Sequence, residues 1–521
     1  MKSRFISRRD FLKVAGFGSA SFLLGAHLNA AGLHISNEAS SSNFVPDAEI
    51  SLTATDTLMQ ILPGAKTRVY HYEGQLLSGS GVTVQSVPGS YLGPIIRVQS
   101  GKKVRIFFHN KLIENSIIHP HGLRVPEECD GHPMQAIGPG QTKVYEFEVI
   151  DRAAPFWFHP HPHMRTSEQV MMGLAGLMYV WDPEEEGVVP GASTGTNDVP
   201  IVIQDRSFDL NNQILYQPNM MWGFLGNRIV VNGKVDTNFS LEPRAYRLRV
   251  LNGSNARTYK LAWNNNMPLT VIGTDGGLLP AAVSKNYVML MPGERIDLWA
   301  DFSSLAGKQV ALRSLAFEAG EMGMMGGMGG MGMMGGMGGF ANGTAFDILN
   351  VNVSSKATTN PILGSLPALS VRYDARNVPN YNTPRPFMLS MGGMMTWTIN
   401  GRVFEMEAVA QDEKVNINET MAWEWINNSP IPHPMHVHNV QFQVVQRTPP
   451  TYNNGYNAIN QGLVDSGWKD TVLVWPGERV KIAMKFGTQT GMYMYHCHIL
   501  EHEDMTMMRN FMIMDSTMPG M

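Results

Sequence analysis

At 521 residues the chain is long enough for about two to four domains. With 43% apolar and 16% charged residues it is an ordinary globular composition, and no uninterrupted apolar run reaches the roughly 18 residues of a membrane span. The formal charge of -4, which becomes -8 without residues 1–31, gives no footing for nucleic-acid binding.

The chain opens on Ser7-Arg8-Arg9-Asp10-Phe11-Leu12-Lys13, followed by an apolar, Gly- and Ala-rich stretch to about Gly25. Paired arginines before a modest hydrophobic region resemble a twin-arginine export signal, and the small residues Ala30 and Ala31 mark the expected cleavage. Residues 1–31 are therefore expected to be a leader, the mature chain periplasmic and without a membrane anchor.

Beyond it, short Val-, Ile-, Phe- and Tyr-rich runs alternate with Gly, Pro and Asn turns, as in Lys103 to Phe108, Lys143 to Val149 and Arg247 to Leu251. This is the pattern of antiparallel sandwiches. The expected fold is all-β: three cupredoxin-like Greek-key β-sandwich domains over 45–190, 195–355 and 360–521. Pro, Gly, Ser and Thr collect at 182–198 and 354–366, where the boundaries are placed.

Histidine is distributed unevenly. Ten of the sixteen fall in four clusters, His119-Pro120-His121, Trp157-Phe158-His159-Pro160-His161, His433-Pro434-Met435-His436-Val437-His438 and Tyr495-His496-Cys497-His498 with His502, and none lies between His163 and His433. Histidines at i and i+2 on an extended chain leave the same face and can grip adjacent metal ions. The ligands must converge from the two ends of the chain, leaving the middle as spacer or scaffold.

The last cluster is the most informative. A thiolate between two imidazoles, with His502 and Met507 following, suits copper. Cys497 and His502 read as equatorial ligands of a blue-copper site, with a second His from elsewhere and Met507 as weak axial ligand; Met505 and Met508 are alternatives or core. On a strand, Cys497 can bind one metal while His496 and His498 point away toward another.

Residues 321–340 contain eight methionines spaced by glycines, Met322, Met324, Met325, Met328, Met331, Met333, Met334 and Met337. Such a stretch cannot pack a core and reads as an exposed, mobile loop whose soft thioethers suit Cu(I). Met388, Met391, Met394 and Met395 either join that lining or fill core gaps. Once Cys497 is a ligand, Cys129 has no disulfide partner and reads as a small buried hydrophobe.

Together the histidine motifs, the Gly173-Leu174-Ala175-Gly176-Leu177 string, Gly467-Trp468-Lys469-Asp470 and His502-Glu503-Asp504 resemble the multicopper oxidases, of the three-domain bacterial cuprous-oxidase and laccase type. The resemblance spans nearly the whole mature chain. It implies four copper ions: type 1 on His433, Cys497, His502 and Met507; type 2 on His119 and His436; and a type 3 pair on His121, His159 and His498 and on His161, His438 and His496. It implies Asp130 and Glu503 as proton relays, since burial moves carboxyl pKa values toward neutrality. It further implies electron transfer from Cu(I) or small phenols to O2, by a chain expected to be monomeric. Three departures stand out: Ser429-Pro430-Ile431-Pro432 replaces the acidic and methionine residues of the cuprous oxidases, Pro120 an aromatic residue and Asn439 a glycine.

Overall fold

The computed structural model describes residues 41, 43–319, 340–356, 358–393, 396–452 and 455–515. The expected leader, the methionines from Met322 to Met337, and Met394 and Met395 lie outside these residues.

The described residues form six sheets, which chain position groups into three pairs. Strands between Ala48 and Trp181 make a four-stranded and a five-stranded sheet, those between Asp198 and Val353 a seven-stranded and a five-stranded sheet, and those between Arg385 and Met514 two five-stranded sheets. Alternation drives this architecture. In the strand Ala48–Met59, Ala48, Ile50, Leu52 and Ala54 are buried in the core of the first pair, while Glu49, Ser51 and Thr55 are partly exposed. Burial of each large apolar side chain contributes roughly 1.5–3 kcal/mol. The third pair has the most aromatic core, where Phe387, Trp423, Trp425 and Tyr495 pack with ring centroids 4.5 to 6.1 Å apart.

The sheets differ from the antiparallel expectation in one respect. Each contains one parallel pairing: Ala48–Met59 with Lys103–Asn110, Ile95–Gln99 with Gly176–Trp181, and the corresponding strands of the other two pairs. A Greek-key chain crosses to the opposite sheet between such strands and re-enters in the same direction. Side-chain alternation has the same period of two in either orientation, so it carries no trace of this.

Two ladders carry the histidine motifs. In the first pair His119 lies opposite His159 where Ile118–His119 meets Ala154–Pro160. In the third, His433–Val437 runs beside Gly491–Cys497, placing His436 opposite His496 and Met435 opposite Cys497. The ladders face each other across the boundary between these pairs, where the His119 and His438 rings stack at 3.8 Å.

Candidate metal centre

The ten clustered histidines and Cys497 are buried, and all gather into groups whose nitrogen or sulfur atoms lie within 4.8 Å of one another. The groups are His433, Cys497 and His502; His119, His121 and His436; His121, His159 and His498; and His161, His438 and His496. Three consecutive residues therefore serve three groups. Cys497 ends its strand with its side chain on the face opposite His496, and His498, held by a bond from its amide to the Pro434 carbonyl (2.7 Å), enters the remaining group.

The hydrogen bonds fix which ring nitrogens face inward. The outer nitrogens of His119, His436, His159 and His496 donate to the carbonyls of Asp130 (2.6 Å), Asp470 (2.8 Å), Pro160 (3.0 Å) and Cys497 (3.1 Å). His121 Nε2 donates to Asp470 Oδ1 (3.0 Å) and His438 Nδ1 to Asp130 Oδ2 (2.8 Å). The inner nitrogens of these six neutral rings consequently carry lone pairs. They meet lone pair to lone pair at 3.4 Å between His119 and His436, 3.4 Å between His121 and His159, and 3.1 Å between His438 and His496. Burial drives every imidazole of the cluster below its usual pKa, so protons do not relieve this opposition. Cations between the rings do, and the donor set fits copper.

The cysteine group is built on the same principle. His502 Nε2 donates to the Met221 carbonyl (3.0 Å) and His433 Nε2 bonds Ser429 Oγ (2.7 Å), turning both Nδ1 atoms toward Cys497 Sγ, at 3.6 and 3.3 Å. Burial pushes the Cys497 thiol above its ordinary pKa, so its thiolate requires a neighbouring cation. Met507 is fully buried in the same core and is tied to the site by its backbone, donating to the His502 carbonyl (2.8 Å) and accepting from Cys497 (3.0 Å). Met508 packs in a neighbouring core cluster with Phe404 and Met494, and Met505 is partly buried. Trp397 covers the group, its ring 4.4 Å from that of His502 and 5.1 Å from that of His433.

Asp130 and Glu503 both touch the histidine cluster. Asp130 contacts His438 as described and His119 at 3.7 Å; Glu503 lies 3.3 Å from His161 and 3.2 Å from His496. Burial raises both carboxyls well above the carboxylate range, Asp504 adding repulsion at Glu503 and Glu127 at Asp130. Cys129 and Cys497 are buried free thiols. Asn439 sits at φ 57° and accepts from the Val125 amide (3.0 Å), which explains Asn in place of Gly, since Asn tolerates the left-handed region. Met388 is 44% exposed, whereas Met391 packs against the third core.

Sequence reasoning missed five contributors. Asp470 holds two histidines, Arg295 holds Asp470, Ser429 and the Met221 carbonyl orient the His433 and His502 imidazoles, and Trp397 packs on them. Asp470 ends the Gly467-Trp468-Lys469-Asp470 string, and Ser429 opens the Ser429-Pro430-Ile431-Pro432 segment that differs from the cuprous oxidases. Arg295 and Met221 lie in the part of the chain that holds no histidine, where no local signal marks a metal site.

The comparisons agree with this geometry. The multicopper oxidase family matches residues 69–185 and 379–517. A multicopper oxidase of Staphylococcus aureus is 31% identical over 449 residues, covering 86% of each chain, and a laccase of Bacillus subtilis is 31% identical, covering 78% of this chain and 81% of its own. The structure of the multicopper oxidase McoA from Aquifex aeolicus superposes with a TM-score of 0.74 at 31% identity, over 90% of this chain and 97% of that one. The chain belongs to the multicopper oxidases, copper-binding oxidoreductases that use O2, built from cupredoxin-like β-sandwiches.

Proposed function

We propose that this is an exported, monomeric oxidase that takes single electrons from Cu(I), contributing to copper tolerance in the periplasm, and reduces O2 to water. The observation that carries the reading is the position of Cys497: its sulfur lies with His433 and His502 while its chain neighbours His496 and His498 belong to the two histidine groups that would hold the type 3 pair. Four copper ions bound as expected, in domains spanning 45–190 and 360–521 around a copper-free domain at 195–355, would supply one-electron acceptance and four-electron reduction of O2 without release of peroxide.

The residues divide the work. Cys497 connects the sites covalently, and His502 takes electrons from the side where its outer nitrogen meets Met221. Asp130, whose Oδ2 accepts from His438 and whose Oδ1 has no hydrogen-bond partner, and Glu503, beside His161 and His496, hold protons for water formation. Water is kept from the type 1 thiolate by Trp397 and the surrounding core.

Two features support Cu(I). Met220, 49% exposed, precedes Met221, and its carbonyl accepts from Trp397 Nε1 (3.2 Å); Met388 is also exposed, on the strand that pairs with Trp397. The far end of the methionine segment is attached nearby in the chain: the Phe340 amide donates to the Gly226 carbonyl (3.2 Å) and Arg257 holds the Phe340 carbonyl (2.8 Å). A second reading, laccase-like oxidation of phenols, is favoured by Ser429-Pro430-Ile431-Pro432, which lacks the acidic and thioether ligands of the cuprous oxidases.

Oxygen uptake by the copper-reconstituted protein, with Cu(I) and a phenol run in parallel and peroxide monitored, tests the proposal. Cu(I) preferred, with water as product, supports it. Phenol preferred makes the protein a laccase, and no uptake by the copper-loaded protein leaves a copper-sequestering protein. Deleting residues 321–340 should lower Cu(I) oxidation far more than oxidation of a bulky organic dye; equal losses, or none, contradict a copper-collecting segment.

A further inference from the structure

One turn occurs three times among the described residues: Gly138-Pro139-Gly140-Gln141, Met291-Pro292-Gly293-Glu294 and Trp475-Pro476-Gly477-Glu478. In each, the fourth side chain accepts from the first residue's amide, at 2.6, 2.8 and 2.8 Å, and the glycine has a positive φ of 77, 83 and 75°. Each turn leads into a strand, whose first residue is Thr142, Arg295 or Arg479. Thr142 bonds His109, and Arg479, with its side chain 51% exposed, pairs with Glu424 at the surface. Arg295 has gone elsewhere.

Its side chain is 2% exposed, and all five donors are used. Two grip the Asp470 carboxylate side by side, at 2.7 and 2.6 Å; the others bond the carbonyls of Pro155 (3.0 Å), Gly293 (3.0 Å) and Asp275 (3.2 Å). Asp470 in turn receives His121 at its carboxylate and His436 at its carbonyl, and these two rings stack 3.8 Å apart at 13°. The neighbouring backbone is shaped around the pair. A Cβ on Gly122 would lie 2.3 Å from Asp470 Oδ2 and 2.9 Å from Arg295 Nη2, and one on Gly293 would lie 2.9 Å from the His498 ring.

We propose that Arg295 is a positioning residue for the histidine cluster: by gripping Asp470 from the central sheet pair, it fixes the rings of His121 and His436 and so sets the geometry of the type 2 copper and its neighbour. The copper-free part of the chain thus shapes the oxygen site as well as spacing its halves. A bidentate guanidinium suits the role because it sets angle as well as distance, which a lysine ammonium cannot. The inference rests on the copper reading.

The test compares wild type, Arg295→Gln, Arg295→Lys and Arg479→Gln, all copper-reconstituted, by metal content, blue type 1 absorption and the type 2 electron paramagnetic resonance signal. Both Arg295 variants should show altered type 2 hyperfine splitting and about tenfold lower copper affinity at the cluster, as outer-shell losses do, with the blue band retained. Arg479→Gln, altering the equivalent turn of the third sheet pair, should match wild type. If Arg295→Gln fails to fold, Arg295→Lys, which keeps the buried charge, decides. A wild-type type 2 signal in a folded Arg295 variant overturns the proposal. Absence of blue and type 2 signals from wild type itself would sink the copper reading instead.

Discussion

The cysteine group and the histidine cluster are built in opposite ways. His433, Cys497 and His502 all come from the third sheet pair, within a stretch of chain folded on itself by one ladder and a short helix. The eight remaining histidines are shared between the first and third pairs, and Asp470, which orients two of them, is held by Arg295 from the second. The side chains of the cysteine group thus come from one sandwich, with the Met221 carbonyl of the central part orienting His502, whereas the eight-histidine cluster forms only when three parts of the chain dock. Lesions in either should leave the copper signal of the other in place, and a lesion at Arg295 or Asp470 should be felt across the histidine cluster.

The largest expected effect tests the link between them. Cys497→Ser removes the thiolate and should bring steady-state substrate oxidation to background, measured by oxygen uptake, while leaving the eight-histidine cluster able to bind copper. Nearly as large, His436→Gln should bring O2 reduction to background yet keep the blue absorption of the cysteine group, because His436 touches only the cluster. Loss of blue colour in that variant would show that the two regions are not separable.

A pH experiment sharpens the contrast in the metal-free protein. Burial lowers the pKa values of His159, His496 and His502 from 6.5 to about 3, 4 and 3. Below 6.5 the unfolded chain takes up protons that the folded chain refuses, so stability is full above that value and is lost as pH falls toward those lowered values. The slope approaches about 1.4 kcal/mol per pH unit for each such imidazole. Urea unfolding of the metal-free protein should show this steep acid sensitivity, and copper should suppress it; a flat profile between pH 6.5 and about 4 contradicts the buried neutral rings.

The smallest effect belongs to Ser429→Ala. It leaves His433 Nε2 buried without its 2.7 Å partner, at a cost of about 1–3 kcal/mol, and should weaken type 1 copper binding by about tenfold while sparing the type 2 signal. Unchanged affinity and potential would mean that the His433 ring is held by packing alone.

Which parts of this were legible in the sequence follows from the range of the contacts. The ligand histidines and Cys497 announce themselves because i, i+2 spacing on a strand puts the chemistry within a few residues. Arg295 and Asp470 are 175 positions apart; Asp470 lies in a motif string that does not reveal its role, and Arg295 carries no local mark of a metal site. Ser429 was visible only as a missing acidic residue, though it orients His433. Strands were legible from alternation, as at Lys103–Asn110, while the parallel pairing of that strand with Ala48–Met59 was not, because alternation is blind to direction.

Copper counting on reconstituted protein tests the central claim most directly, that Cys497 joins a separate mononuclear site to a histidine-held cluster. Wild type should bind four copper ions with an intense blue band, and Cys497→Ser three with no blue band and an intact type 2 signal. Equal copper content and spectra in the two proteins, or loss of the whole complement in the variant, would contradict the account.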